Sequence, residues 1–192
     1  MAKMSKSLYV CCTMDVERIR SESPTGGPPS WEFGETAVRE YCEFLGTRGY
    51  PTTLFVVPDT MDRQAALFQE MAETGNECGM HFHPQSWRDH FRNAEAHDFL
   101  GGYSAEHQRS LLRPALEQYG DAFGSAPNLF RPGNFSANDA TFQVLEDLGF
   151  RGGSVSQPNR CAPSVKAVWT GADRTVHCAH RAFRLVAGDL EF

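Results

Sequence analysis

No apolar run in the 192-residue chain approaches the roughly 20 residues of a membrane span. The longest are Leu8–Cys12 and Leu54–Val57, so no transmembrane helix is expected. Positive charge is also in short supply. Lys and Arg number 18 against 24 Asp and Glu, for a formal charge of -6, which disfavours a general nucleic-acid binder because that needs a cationic face for the phosphates. None of the six cysteines is spaced C-x-x-C, which removes the zinc-ribbon and thioredoxin-type readings. Gly26-Gly27 lacks the spacing of a dinucleotide or P-loop fingerprint, and no G-x-S-x-G elbow is present. Lys3 and Lys6 precede an apolar run of only about five residues with no small-residue cleavage site, so no secretory leader is read there. The expectation is a cytoplasmic protein whose cysteines (Cys11, Cys12, Cys42, Cys78, Cys161, Cys178) are mostly small buried hydrophobes.

What is present is ordinary globular material. A hydrophobic fraction of 41% and a charged fraction of 22% suit a packed core, and the length suits a single domain over residues 1–192. The dominant rhythm is strand then helix. Ser7–Thr13 reads as a buried strand and residues 18–34 as a long Pro/Gly-rich loop. Thr36–Leu45 carries Val38, Tyr41, Cys42 and Leu45 at helical spacing. Thr52–Val57 is a second strand. A helix capped by Asp59 or Thr60 follows, with Ala65, Phe68, Met71 and Ala72 on one face. Cys78–His83 is a third strand, and a polar loop runs from Pro84 to Tyr103. Ser104 caps a helix with Leu112, Ala115, Leu116 and Tyr119 inward. Asn128–Arg131 is a fourth strand. Ser136 and Asp139 resemble a capping box for a helix burying Phe142, Leu145 and Leu148, and Gly152–Val155 is a fifth strand. After Gln157 the pattern weakens to two faint strands, Ala167–Trp169 and Ala182–Val186. Strand–helix alternation argues for a parallel α/β sheet. Five strong units are too few for a closed eight-stranded barrel, so the sheet is open or lacks its C-terminal strands.

Ligands of such sheets bind at the C-terminal ends of the strands, and there the polar residues concentrate: Asp15 and Glu17, His81 and His83, and Arg131. Histidines two apart on a strand share one face and can chelate a divalent cation. Two imidazoles, a carboxylate and an open position make the common catalytic zinc arrangement. The same H-x-H also fits one core and one exposed histidine. Arg131 among apolar neighbours needs a carboxylate or a ligand; it holds Asp15, or it forms a purely structural ion pair. Gly133-Asn134 suits a tight turn with exposed N–H groups, either an oxyanion site or simply a turn. Trp31 and Trp87, in loops, are candidate sugar platforms or core residues, and Trp169 is a core candidate. His90, His97 and His107 read as surface residues, and His177 and His180 lie in the weakly patterned tail.

From about Ser7 to Phe150 these residues resemble the polysaccharide deacetylases, the NodB-homology group of carbohydrate esterase family 4. Thr13-Met14-Asp15-Val16-Glu17 looks like the family's first motif, Glu77 to Gln85 like its metal-histidine motif in an H-x-H-P form, and Phe130 to Phe135 like its arginine motif. The resemblance implies a distorted (β/α) barrel, a divalent metal, often zinc, and hydrolysis of an N-acetyl group on a sugar or polysaccharide. It implies Asp15 as general base, oriented by Arg131, and His81 and His83 as metal ligands joined by Glu17 or by Asp15 itself. Three positions depart from the common pattern. Val16 stands where a second Asp is usual, Gln85 where the second histidine is usual, and the tail carries no matching late histidine. Two alternatives stand beside the deacetylase: a small-amide or imide hydrolase of the same superfamily, and a non-catalytic, incomplete domain that binds carbohydrate or a partner. An open C-terminal edge would favour self-association.

Overall fold

The computed structural model describes residues 10–87, 97–156 and 162–167, with the backbone of 186–187 and 190–191. Its elements run β1 (Cys12–Val16), α1 (Trp31–Gly46), β2 (Thr52–Val56), α2 (Pro58–Arg63), α3 (Ala65–Glu73), β3 (Glu77–Phe82), α4 (Ala105–Phe123), β4 (Leu129–Pro132), α5 (Asp139–Asp147), β5 (Gly152–Gly153), β6 (Val186–Ala187) and β7 (Leu190–Glu191). They build one sheet in the order β1-β2-β3-β4-β5-β7-β6. The first five strands are parallel to their neighbours, β7 is parallel to β5, and β6 runs antiparallel to β7. Among the described residues β1 and β6 are the two edges, so the sheet is open rather than a closed barrel.

Alternation along the strands separates two faces. Leu54, Val56, Met80, Phe82 and Phe130 are essentially fully buried and pack with Phe68, Leu112, Tyr119 and Leu145 from the helices. That apolar layer drives the sheet and the helices together. The opposite set, Thr13, Asp15, Phe55, Gly79, His81 and Arg131, shares the other face through the register Asp15↔Phe55, Phe55↔Gly79 and His81↔Arg131. Polar chemistry therefore collects on one side of a sheet whose other side is sealed.

Several sequence-based boundaries move. β1 starts at Cys12 rather than Ser7. Val10 and Cys11 are exposed and outside the strand, and residues 7–9 lie outside the described region. Consequently Asp15 sits within β1 and Glu17 just past it. The expected loop 18–34 ends early, because the Ser30 side chain accepts the Phe33 N–H and starts α1 at Trp31. The single helix expected after β2 is two. Pro58 begins α2 without a side-chain cap, and Gln64 at φ -123° and ψ 30° breaks the chain before α3. The α5 cap is Asn138 with Thr141, not Ser136 with Asp139. Asn138 also ties the neighbourhood together. Its Nδ2 donates to the carbonyls of Gly101 and Tyr103, and its Oδ1 accepts from Gln108 Nε2. β5 is shorter than expected, at two residues. Of the faint tail strands, only Ala167 and Val186 fall on described residues: Ala167 forms an isolated bridge with Ala162, and Val186 opens β6.

Candidate metal centre

The site is set by where β1, β3 and β4 end. β3 carries His81 near its C-terminal end and His83 just beyond it, and their rings meet edge to face at 87° with centroids 4.7 Å apart. Both are buried, at 3% and 6% exposure, which argues against the reading of one core and one exposed histidine. The Nε2 atoms face each other at 3.1 Å. Glu17 closes the triangle, with Oε1 2.8 Å from His83 Nε2 and 3.3 Å from His81 Nε2. Its other oxygen, Oε2, is buried without a partner.

This cluster fits a divalent cation. Ligand atoms at about 2.0–2.1 Å from a tetrahedral zinc stand about 3.4 Å apart, close to the separations seen, and Glu17, His81 and His83 form the metal-competent cluster found among the described residues. The donor set is one carboxylate and two imidazoles, which leaves a fourth position open. The Arg131 backbone carbonyl, 2.8 Å from His81 Nδ1, accepts its proton. That bond fixes the tautomer and turns Nε2 toward Glu17.

The electrostatics favour a negative Glu17 and positive charge beside it, where a cation would sit. Burial works to raise the Glu17 pKa, but the hydrogen bonds from His81 and His83 and their positive charge outweigh it, bringing it from 4.5 to about 2. Burial works to lower that of His81, yet the Glu17 hydrogen bond and charge, then Asp15 and the Arg131 carbonyl, leave it above its ordinary 6.5. A metal would take the place of that positive charge and compensate the Glu17 carboxylate.

Asp15 is the second part of the site. Its Oδ1 accepts from Arg131 Nη1 at 2.6 Å, while Oδ2 lies 4.0 Å from His81 Nε2. At 39% side-chain exposure the carboxylate is open to solvent, whereas the Arg131 side chain is 10% exposed. In a flat sheet the backbones of β1 and β4, with two strands between them, would stand about 14 Å from each other, so this contact needs the sheet to curl toward its polar face. Gly79 helps the arginine across. A Cβ there would stand 2.9 Å from Leu129 Cβ and 3.0 Å from both the Leu129 carbonyl oxygen and the Phe55 ring, so both neighbours close over the bare glycine. The Arg131 guanidinium in turn lies 4.1 Å from the Phe55 centroid, a cation–π contact out of water. Nη2 then donates to Thr13 Oγ1 at 3.0 Å.

All five candidates from the sequence, Asp15, Glu17, His81, His83 and Arg131, are thus brought together. Glu17, rather than Asp15, makes the close contacts with both imidazoles. Thr13 and Phe55 were not singled out as partners of Arg131; only the register, which pairs β1 with β2 and β2 with β3, reveals them. Trp87 is not a sugar platform, because it is buried against Phe82, with centroids 5.9 Å apart. Trp31 is half-buried at the start of α1, under the Arg63 guanidinium. Cys42 and Cys78 are buried as expected, but Cys11 is exposed and Cys12 half-buried. His97 is exposed and His107 half-buried. Residues 90, 161, 169, 177, 178 and 180, which the sequence reading also named, lie outside the described residues.

Comparison with known proteins bears on the fold and the family. We find no match among curated protein sequences. Among solved structures, a Mycobacterium smegmatis protein assigned as a polysaccharide deacetylase aligns with a TM-score of 0.55 at 20% identity over 77% of this chain and 50% of its own. A family 4 carbohydrate esterase from Streptomyces lividans, solved with acetate, aligns at 0.50 and 17% identity over 74% and 60%. A mutant of a Bacillus anthracis family 4 pseudoenzyme, described as having restored enzymatic activity, aligns at 0.51 and 15% identity over 81% and 49%. The chain therefore spans about half to three-fifths of these structures, and at such identities the likeness is one of fold. The family profile described as polysaccharide deacetylase matches residues 27–153, a stretch that contains His81, His83 and Arg131 and begins after Asp15 and Glu17. A profile that runs through two thirds of the chain and takes in β2, β3, β4 and β5 places this protein in the polysaccharide deacetylase family.

Proposed function

We propose that this chain is a metal-dependent hydrolase that removes N-acetyl groups from a sugar or polysaccharide. The observation that carries the reading is the convergence of Glu17 Oε1, His81 Nε2 and His83 Nε2, with an arginine-held carboxylate, Asp15, beside them. Glu17, His81 and His83 would hold a divalent cation, zinc being the ion their chemistry suits best. When bound, such an ion polarises an acyl carbonyl and lowers the pKa of a coordinated water. Asp15 serves as general base. Arg131 occupies Oδ1, which leaves Oδ2 to accept the proton from the attacking water. Burial of the guanidinium against Phe55 and its bond to Thr13 hold Asp15 in one orientation, and the exposure of Asp15 leaves a path for substrate.

A second reading, an inactive sugar-binding domain, is favoured by Val16 in the place of the family's usual second Asp and by the pseudoenzyme among the similar folds. One assay separates them. Metal-free and metal-reconstituted protein are incubated with an N-acetylated β-linked oligosaccharide and, separately, with small amides and ureides. Acetate released from the oligosaccharide only when metal is present supports the proposal. Turnover of small amides alone would reassign the substrate class, and oligosaccharide binding without turnover at saturating metal would favour the inactive domain.

A further inference from the structure

We infer that Gly133 is a positioning residue for the metal centre, one whose missing side chain is what lets His83 face Glu17; the inference rests on the metal reading above. His83 has no room to choose another orientation by itself. It is 6% exposed, its Nε2 is engaged by Glu17 at 2.8 Å and by His81 at 3.1 Å, and the far side of its ring lies against Gly133. A Cβ placed on Gly133 would fall 2.1 Å from His83 Nδ1, 2.2 Å from Cε1 and 2.5 Å from Cγ. Those distances lie inside the ring's own van der Waals surface, and all three nearest atoms belong to His83.

The backbone gives no other reason for a glycine. Gly133 is not among the positive-φ residues, so alanine could adopt its conformation at little cost. The left-handed positions of this turn fall instead on the next two residues, Asn134 at φ 57° and Phe135 at φ 53°. Backbone conformations of that kind on non-glycine residues persist where surrounding structure over-determines them, often at functional sites. Glycine thus stands where a side chain is forbidden by an imidazole, and side-chain-bearing residues stand where the backbone is strained. The short segment from Arg131 to Gly133 then fixes both histidines by different means: the Arg131 carbonyl orients His81 through a hydrogen bond, and bare Gly133 seats the ring of His83. With any side chain at 133, either the ring swings off Glu17 or β3 and β4 separate.

The test is a cycle of four metal-free proteins: wild type, Gly133→Ala, His83→Ala and the double variant. Their thermal unfolding is followed by circular dichroism, and Co²⁺ is titrated by visible absorption. Gly133→Ala is expected to lower Tm in the wild-type background and to be nearly harmless once the His83 ring is gone. Equal loss in both backgrounds would overturn the clash. Should Gly133→Ala fail to fold, recovery of folded protein in the double variant supports the inference and continued failure overturns it. Wild-type protein is expected to bind Co²⁺, and Gly133→Ala to bind it about 10- to 100-fold more weakly, the usual loss when a residue that orients a metal ligand is changed, with an altered absorption band. Equal affinity and an unchanged band would contradict the role. Absence of Co²⁺ binding by the wild type would instead overturn the metal reading, a failure distinguishable from that of the stability cycle.

Discussion

The largely covered Glu17 carboxylate makes the metal-free protein sensitive to acid by an amount that follows from its surroundings. Held between His81 and His83, it titrates at about 2 instead of 4.5. At about 1.4 kcal/mol per pKa unit this is worth about 3 kcal/mol of stability. The folded pKa is depressed, so the contribution is complete above pH 4.5 and disappears as the pH falls toward 2; about 2 kcal/mol is gone by pH 3. His81 carries the opposite sign. Its folded pKa lies above 6.5, so its contribution is complete below 6.5 and declines as the pH climbs through the folded value. The pair therefore stabilises the metal-free fold most between pH 4.5 and 6.5. Urea unfolding in the presence of a chelator, compared between wild type and Glu17→Gln in steps from pH 6 to pH 3, reads this directly. Glutamine resembles the protonated acid, so the wild-type advantage should be about 3 kcal/mol near pH 5.5 and shrink to about 1 kcal/mol at pH 3. An advantage that stays constant across the range would refute the reasoning, since it would show that the Glu17 charge is not what the histidines stabilise.

Other consequences are as specific. Asp15→Asn should keep metal affinity within a factor of a few and lower kcat by about 10²–10⁴-fold, the usual contribution of a general base; loss of metal in parallel with activity would make Asp15 a ligand instead. Asn138→Ala removes the α5 cap and takes one hydrogen bond each from the Gly101 carbonyl, the Tyr103 carbonyl and Gln108 Nε2, the last two remaining bonded to each other. It should cost about 2–3 kcal/mol, a Tm fall of about 5–10 °C for a chain of this size, with metal affinity unchanged; a near-neutral Tm would show that water replaces those bonds. Phe68→Ala, at a fully buried position of α3, should cost about 3–5 kcal/mol in chemical unfolding, and a smaller loss would mean that the cavity collapses.

Much of this arrangement was legible in the sequence because it depends on short-range periodicity. His81 and His83 share a face since strand side chains alternate, and the apolar runs that mark β2, β3 and β4 are those that the parallel sheet buries. The first motif was legible in composition but not in placement. β1 begins five residues later than the expected strand start at Ser7, so Asp15 lies inside the strand and Glu17 at its mouth. Pairing of Glu17 with both imidazoles depends on strand order, which no local pattern encodes. The support of Arg131 by Phe55 depends likewise on β2 lying between β1 and β3. Asn138 displaced Ser136 as the cap because Ser136 Oγ is taken by the Gly101 N–H. Gly133 looked like a turn glycine, and its real neighbour, the His83 ring, is fifty residues away in the chain.

The central claim is that Glu17, His81 and His83 hold one divalent ion. Elemental analysis by mass spectrometry of the protein after reconstitution and desalting, beside a His81→Ala/His83→Ala control, tests it most directly. The account predicts about one ion per chain in the wild type and none in the control; no metal in either protein would contradict it.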